Sequence, residues 1–207
     1  ACAPYRRLHL CHHNLENISD YDSNNAKHDL LAEVCMAAKY EGDSIIGEYP
    51  KYQTTYEGSG SSFTTCTMLA RSFADIGDIV RGRDLFYGNT QESTQRKQLD
   101  DKLKEIFKNI KKNNQSKLGQ LKLDQVREYW WALNRNDVWK AITCGTHDGD
   151  TYFRPTCGDS ADKKGPSVAK DHCRCDGDKP GHDKANTDPP TYFDYVPQYL
   201  RWFEEWA

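Results

Sequence analysis

Nowhere in this chain do about 18 to 20 consecutive apolar residues occur, the run a membrane-crossing helix needs, so no membrane span is expected within it. The opening Ala1-Cys-Ala-Pro-Tyr-Arg-Arg7 also has no apolar stretch of the kind that makes a signal peptide. Hydrophobic residues make up 37% of the 207 positions, a low fraction, while aromatics reach 12%, with five Trp and twelve Tyr. Few but large apolar groups must therefore carry the core, and the length is sufficient to bury one. The last residues, Pro197-Gln-Tyr-Leu-Arg-Trp-Phe-Glu-Glu-Trp-Ala207, form an amphipathic helical pattern that stops without a Gly or Asn cap, as expected of a chain cut from a longer protein.

Familiar catalytic patterns are missing too. No Gly-x-Ser-x-Gly, His-Glu-x-x-His or EF-hand sequence occurs. Gly58-Ser-Gly60-Ser-Ser62 is glycine-rich, but no lysine follows it and no strand pattern precedes it, so it does not read as a phosphate loop. Asp148, Asp150, Asp176 and Asp178 all stand beside glycines, which makes them turn residues rather than cation ligands. His12 and His13 have no recognisable partners. The expectation is a protein with no catalytic residues, no metal and no cofactor.

Eight cysteines are present, in two groups separated by 77 residues without a thiol: Cys2, Cys11, Cys35 and Cys66, then Cys144, Cys157, Cys173 and Cys175. An even, widely spaced set reads as a disulfide framework in an oxidising, extracellular compartment. Zinc is the chemical rival, because His172-Cys173-Arg174-Cys175 lies near Cys157 and His182, but the paired Cys-x2-Cys spacing is absent. Cys173 and Cys175 are too close to bond each other comfortably, so each should reach back to Cys144 or Cys157. The expectation is that all eight bond and that each group pairs within itself.

Between the cysteine groups the hydrophobic period is helical. A first helix spans Ala26 to about Tyr40, with Leu30, Leu31, Val34, Cys35 and Ala38 on one face, and Gly42, Gly47 and Pro50 break it. Tyr49 to Ser62 reads as an extended surface loop. From Phe63 a second helix carries Met68, Leu69, Ser72, Phe73, Ile76, Ile79 and Val80 and stops at Gly82. A third runs from about Ser93 to Asn113 over Leu99, Leu103, Ile106, Phe107 and Ile110. A fourth, Leu123 to about Thr143, aligns Val126, Tyr129, Trp130 and Leu133 and is expected to kink or restart at Asn134–Asp137, with Asp137 as a cap. Trp130 and Trp139 are assigned to the core, and Trp131 to contact with another helix. Residues 196–207 supply one more amphipathic helix.

Amphipathic helices hide their stripes most economically by bundling. The expected fold is mostly α, with a disulfide-stapled, loop-rich lobe over residues 1–65 and a helical bundle over 66–207. Gly145 to Pro190 is a long loop pinned by cysteines, with its most variable part near 160–170.

Charge is segregated along this chain. Arg96 to Arg127 holds ten basic residues against four acidic ones, although the whole chain carries a net charge of −3. Lys104, Lys108 and Lys111 recur at i, i+4 and i+7 beside the apolar stripe. Such a run is either a solvated helix face or a patch that attracts a polyanion. A sulfated glycan suits an extracellular chain better than nucleic acid, and Lys102, Lys104, Lys108, Lys111, Lys112 and Lys117 are the candidate contacts.

Several long blocks, in order, resemble one family. They are Cys2-Ala-Pro-Tyr-Arg-Arg-Leu-His-Leu-Cys11, Asp29-Leu-Leu-Ala-Glu-Val-Cys35, Ala70-Arg-Ser-Phe-Ala-Asp-Ile-Gly-Asp-Ile-Val-Arg-Gly82, Arg127-Glu-Tyr-Trp-Trp-Ala-Leu-Asn-Arg135, Val138-Trp-Lys-Ala-Ile-Thr-Cys144 and Asp194-Tyr-Val-Pro-Gln-Tyr-Leu-Arg-Trp-Phe-Glu-Glu-Trp206. The chain is similar to Duffy-binding-like domains, and within them to the alpha class at the head of the malaria parasite's erythrocyte membrane protein 1. The resemblance covers subdomains one and two; family members continue into a third, cysteine-rich subdomain. The four cysteines from Cys144 to Cys175, with Arg127-Glu-Tyr129, resemble the four-cysteine type rather than the two-cysteine type often associated with rosetting.

The resemblance implies a non-enzymatic adhesin on the infected red cell, part of a longer membrane-anchored protein, that binds host receptors and varies its surface against antibodies. Some alpha-class heads bind heparan sulfate, complement receptor 1 or blood-group sugars. Fold alone does not name the ligand. Two functions follow as expectations: adhesion to a host receptor or sulfated glycan, or service as a non-binding structural and antigenic spacer beside a neighbouring binding domain.

Overall fold

The computed structural model describes residues 2–11, 13–16, 26–55, 64–158 and 165–206. Helices α1 (Tyr5–Leu8) and α2 (His13–Glu16) are single turns. They precede α3 (Ala26–Thr55), α4 (Thr65–Arg81), α5 (Thr90–Asn113), the short α6 (Gln115–Leu118) and α7 (Leu123–Ile142). A long loop follows, then a 3-10 turn at Phe193–Tyr195 and α8 (Gln198–Trp206). The chain is mostly helical, as its hydrophobic period predicts.

Helix α4 is the axis of the molecule, with every residue except Met68 buried. Its ends follow capping chemistry. The Thr64 hydroxyl accepts from the Thr67 amide at 3.2 Å, and Gly82, at φ 74°, takes the left-handed conformation that closes the helix. One apolar core wraps this helix, joining Leu30 and Val34 of α3, Leu69 and Phe73 of α4, Leu103 and Phe107 of α5, and Trp131 and Trp139 of α7.

Helix α5 buries the five apolar residues that its periodicity marks. It begins three residues before the expected Ser93, because Asn89 and Glu92 form a reciprocal capping box with bonds of 2.9 and 2.7 Å. Helix α7 runs without a break through Asn134–Asp137, so the expected restart is corrected. Trp131, Arg135 and Val138 are buried on both sides of that segment, and their packing overrides the capping preference of Asp137. Trp130 and Trp139 lie in the core as assigned, and Trp131 packs against Phe73 of α4 in a tilted arrangement, 5.2 Å between ring centroids. Leu133, placed on the apolar face by its spacing, is 81% exposed, and Tyr129 is exposed beside it.

Helix α3 corrects a second expectation. It continues through Gly42, Gly47 and Pro50 to Thr55, so residues 49–55 are helical; residues 56–63, the rest of the expected loop, lie outside the described residues. The reason for Gly42 is contact rather than chain breaking. A Cβ there would stand 2.1 Å from the carbonyl oxygen of Ile142, so only glycine lets α3 and α7 approach this closely. Gly47, on the same helix, has open space around it.

The two glycines should therefore respond oppositely to alanine. Gly42→Ala forces the helices apart and is expected to cost about 1–3 kcal/mol. Gly47→Ala relieves backbone entropy in an exposed helix interior and should add up to about 1 kcal/mol. Thermal melts of the two variants provide the check; equal shifts would contradict the contact argument.

The disulfides match expectation in one bond, Cys157 with Cys175, and depart from it in the other. Cys66 bonds Cys173 and Cys157 bonds Cys175, so one bond crosses between the two cysteine groups. Cys2, Cys11, Cys35 and Cys144 are free thiols. Spacing identifies a framework but carries no information on which Cα atoms the fold brings within about 4.4–6.8 Å, and Cys66 and Cys173, 107 residues apart, meet at 5.4 Å.

Candidate binding surface

Chemically capable side chains are concentrated inside the molecule and are paired there. Asp75, on α4, accepts from Arg6 at 2.8 Å and from Arg201 at 2.7 Å, and the side-chain amide of Gln198 donates to it at 3.1 Å. Arg6 also reaches Glu205, and Arg201 also reaches Asp78 at 2.6 Å. Burial alone would raise the Asp75 carboxyl, but Arg6, Arg201 and Arg7 outweigh it and hold it below the ordinary carboxylate range. Asp78 goes the other way, since burial exceeds the help it receives from Arg201 and Arg81. A second node lies nearby, where Asp194 takes two bonds from Arg135 at 2.8 Å and one from the Trp131 indole at 2.9 Å.

This network ties α1, α4, α7 and α8 together through guanidinium and carboxylate pairs, with the buried Nε of Arg201 left without a partner. It orients helices and offers no open nucleophile or base. Of the four free thiols, Cys2 and Cys144 are exposed and Cys11 and Cys35 are partly buried. Burial, with Glu41 adding, pushes the Cys11 thiol up to about 11, and burial with Asp137 pushes Cys35 up to about 12.

The loop after α7 is held by the disulfides and by the same kind of pairing. Arg174 bonds Thr143, Asp178 and Asp183, and His172 bridges the Thr146 carbonyl and Asp148, each at 2.8 Å. Asp150 accepts from the His147 amide at 2.8 Å, and Asp178 accepts from the Lys184 amide. The aspartates thus act as turn and loop fasteners. Among the described residues no group of three His, Cys, Asp or Glu side chains is arranged to hold a metal ion, and the three cysteines of the zinc alternative are all in disulfides.

The candidate lysines lie on α5, except Lys117 on α6, and they are not equivalent. Lys104 is bound by Asp100 at 2.7 Å and by Asp101 at 3.4 Å, and Lys108 by Glu105 at 2.6 Å. Lys111 donates to the Leu121 carbonyl at 2.7 Å. Lys102 is half-buried, whereas Lys112 and Lys117 are exposed. Two of the three lysines on the i, i+4, i+7 face, Lys104 and Lys108, are therefore paired on their own helix with carboxylates three or four residues away, whereas Lys111 is held by a carbonyl and keeps its charge.

A surface that the periodicity misassigns lies on α8. That helix buries Gln198, Arg201 and Trp202 and turns Tyr199, Leu200, Phe203 and Trp206 outward, with Phe203 69% exposed. Its amphipathic pattern is real, but its polar side faces the protein. Arg201 and Gln198 hold that side inward by meeting the buried aspartates of α4, contacts that helical spacing alone does not reveal.

The molecule is thus a helical scaffold pinned by two disulfides and by buried pairs of opposite charge. The comparison with known families is specific: the Duffy binding domain family model matches residues 1–201. The chain belongs to the Duffy binding domain family.

Among solved structures it is 39% identical to the NTS-DBL1(alpha-1) domain of the Plasmodium falciparum membrane protein 1, PfEMP1, from the varO strain. That match covers 100% of this chain and 43% of the other, with a TM-score of 0.72. The varO double domain of NTS-DBL1-alpha and CIDR-gamma matches with the same identity and TM-score and is covered to 27%. The ICAM-1-binding DBLbeta domain of PfEMP1 IT4var13 is 30% identical, with 97% of this chain and 41% of that chain covered and a TM-score of 0.64. The chain thus spans less than half the length of these relatives. No curated protein matches it.

Proposed function

We propose that this chain is part of an adhesin displayed on the infected red cell, within a longer membrane-anchored protein, and that it contributes surface for binding host receptors or sulfated glycans while varying under antibody selection. The observation that carries this reading is the family match over residues 1–201, because a relative 30% identical is described as ICAM-1-binding. The buried pairing supports it: a scaffold held by internal charges and disulfides leaves its exterior free to change without loss of the fold. Among the described residues no helix is long and apolar enough to cross a membrane.

The test is a binding screen of this chain and of the longer head region, side by side, against host endothelial and red-cell receptors and a sulfated-glycan array. The expected result is at least one ligand shared by both. If the longer region binds and this chain binds nothing, the chain is a structural and antigenic spacer and the adhesive surface lies elsewhere.

A further inference from the structure

From Ile106 to Leu123 the sequence contains five lysines and no acidic residue. The structure folds that stretch into one corner made of the last turns of α5, the single turn of α6 and the turn into α7. The Lys111 bond to the Leu121 carbonyl closes this corner and draws the backbone next to Lys122 against the end of α5.

Each lysine has a different structural account. Lys108 is neutralised by Glu105, and Lys111 fastens the turn. Lys112 sits in the last turn of α5, where a cation offsets the negative end of the helix dipole. Lys117 belongs to a helix of one turn, which has little dipole to offset. Lys122 is stranger still, because it directly precedes α7, the positive end of a 20-residue helix, where a cation is unfavourable. Among the described residues neither Lys117 nor Lys122 has a carboxylate partner, and both are exposed. Stability does not account for these two charges.

We infer that this corner, centred on Lys112, Lys117 and Lys122, is where a sulfated glycan docks, rather than the Lys104–Lys108 face. The inference rests on the adhesin reading above and locates its polyanion contact. Three unneutralised ammonium groups around one turn match the repeating sulfates of a flexible chain. Exposed Gln115, Ser116 and Gln120 between them offer amide and hydroxyl partners for sugar hydroxyls. Sulfates bind here with release of their counterions, so affinity should fall steeply with salt.

The test compares two variants on immobilised heparin, with circular dichroism confirming that both fold. Lys112→Gln/Lys117→Gln/Lys122→Gln should lower the slope of log affinity against log salt by roughly two to three, about one for each ammonium group removed. Lys104→Gln/Lys108→Gln should leave it nearly unchanged. A fall in the second variant equal to that in the first, or no fall in either, overturns the corner as the site. Absence of heparin binding by the parent chain also overturns it, yet leaves the adhesin reading to the receptor screen, which includes non-glycan ligands.

Discussion

Replacing Asp75 with asparagine is expected to cost the fold about 3–5 kcal/mol, the range for removing one partner of a buried ion pair. The loss arises because Asp75 stands fully buried between two guanidinium groups, and the asparagine amide leaves Arg6 and Arg201 with one remaining carboxylate each, Glu205 and Asp78. For a chain of this size that corresponds to a fall in melting temperature of roughly 6–20 °C. A surface control, Lys39→Gln, removes the exposed i, i+4 pair with Asp43 and should cost less than about 1 kcal/mol. The pH dependence follows from the direction of the shift. Asp75 has its folded carboxyl below the ordinary value of 3.8, so its stabilisation is complete above that value and is lost as pH falls through the folded value. Asp78, raised by burial, works in the opposite sense, because protonation relieves part of its cost. Asp75→Asn should therefore destabilise most at neutral pH and flatten the acid limb below about pH 4. A variant that melts within about 2 °C of the parent at neutral pH, less than 1 kcal/mol on the same scale, would show that this carboxylate is not a keystone of the helix packing.

That keystone is also where reading the sequence succeeded in part and failed in part. The apolar stripes of α4 and α5 were legible because a helix that buries one face repeats its large residues every three to four positions. Asp75, Asp78, Arg6 and Arg201 carried no such signal, since a buried charge looks like an exposed one until its partner is placed, and these partners lie up to 126 residues apart. The same blindness inverted α8: its stripe of Tyr199, Leu200, Phe203 and Trp206 was visible, while the attraction between Arg201 and the α4 aspartates that turns the stripe outward was not. Gly42 failed for a related reason. A glycine in a helical pattern suggests a break when only the chain is considered, and becomes a contact once Ile142 lies against it.

For the proposed binding surface, spacing singled out the face of Lys104, Lys108 and Lys111, and the proposal above moves from that face to the end of the same run. Local pairs such as Lys104 with Asp100 were readable at i, i+4, and reading them shifts attention to the acid-free end of the run. What sequence spacing did not provide was the fold of that end, where the Lys111 bond to Leu121 brings Lys122 beside α5. Periodicity describes a helix face and has nothing to say about a corner.

The Cys66–Cys173 bond carries the other large effect. It closes a loop of 107 residues that contains nearly all of α4, then α5, α6, α7 and the following loop up to Cys173, and its removal restores to the unfolded chain an entropy equivalent to about 4–5 kcal/mol. Cys66→Ala/Cys173→Ala should therefore melt at least about 8 °C below the parent, by roughly 2–4 °C for each kcal/mol. Cys157→Ala/Cys175→Ala opens a loop of only 18 residues, and its entropic loss is smaller, about 3 kcal/mol. The effects should also differ in kind. Cys173 is fully buried and the Trp139 indole donates to its carbonyl at 3.1 Å, so freeing it loosens the seat of α7 on α4, whereas the second bond mainly restrains the loop itself. Amide exchange should then quicken in α4 and α7 for the first variant and stay confined to residues 150–175 for the second. Non-reducing peptide mapping supplies the prior condition: a peptide pair joining Cys66 to Cys173 is expected, and exclusive pairing of Cys66 with Cys2, Cys11 or Cys35 would remove the bridge on which this difference depends.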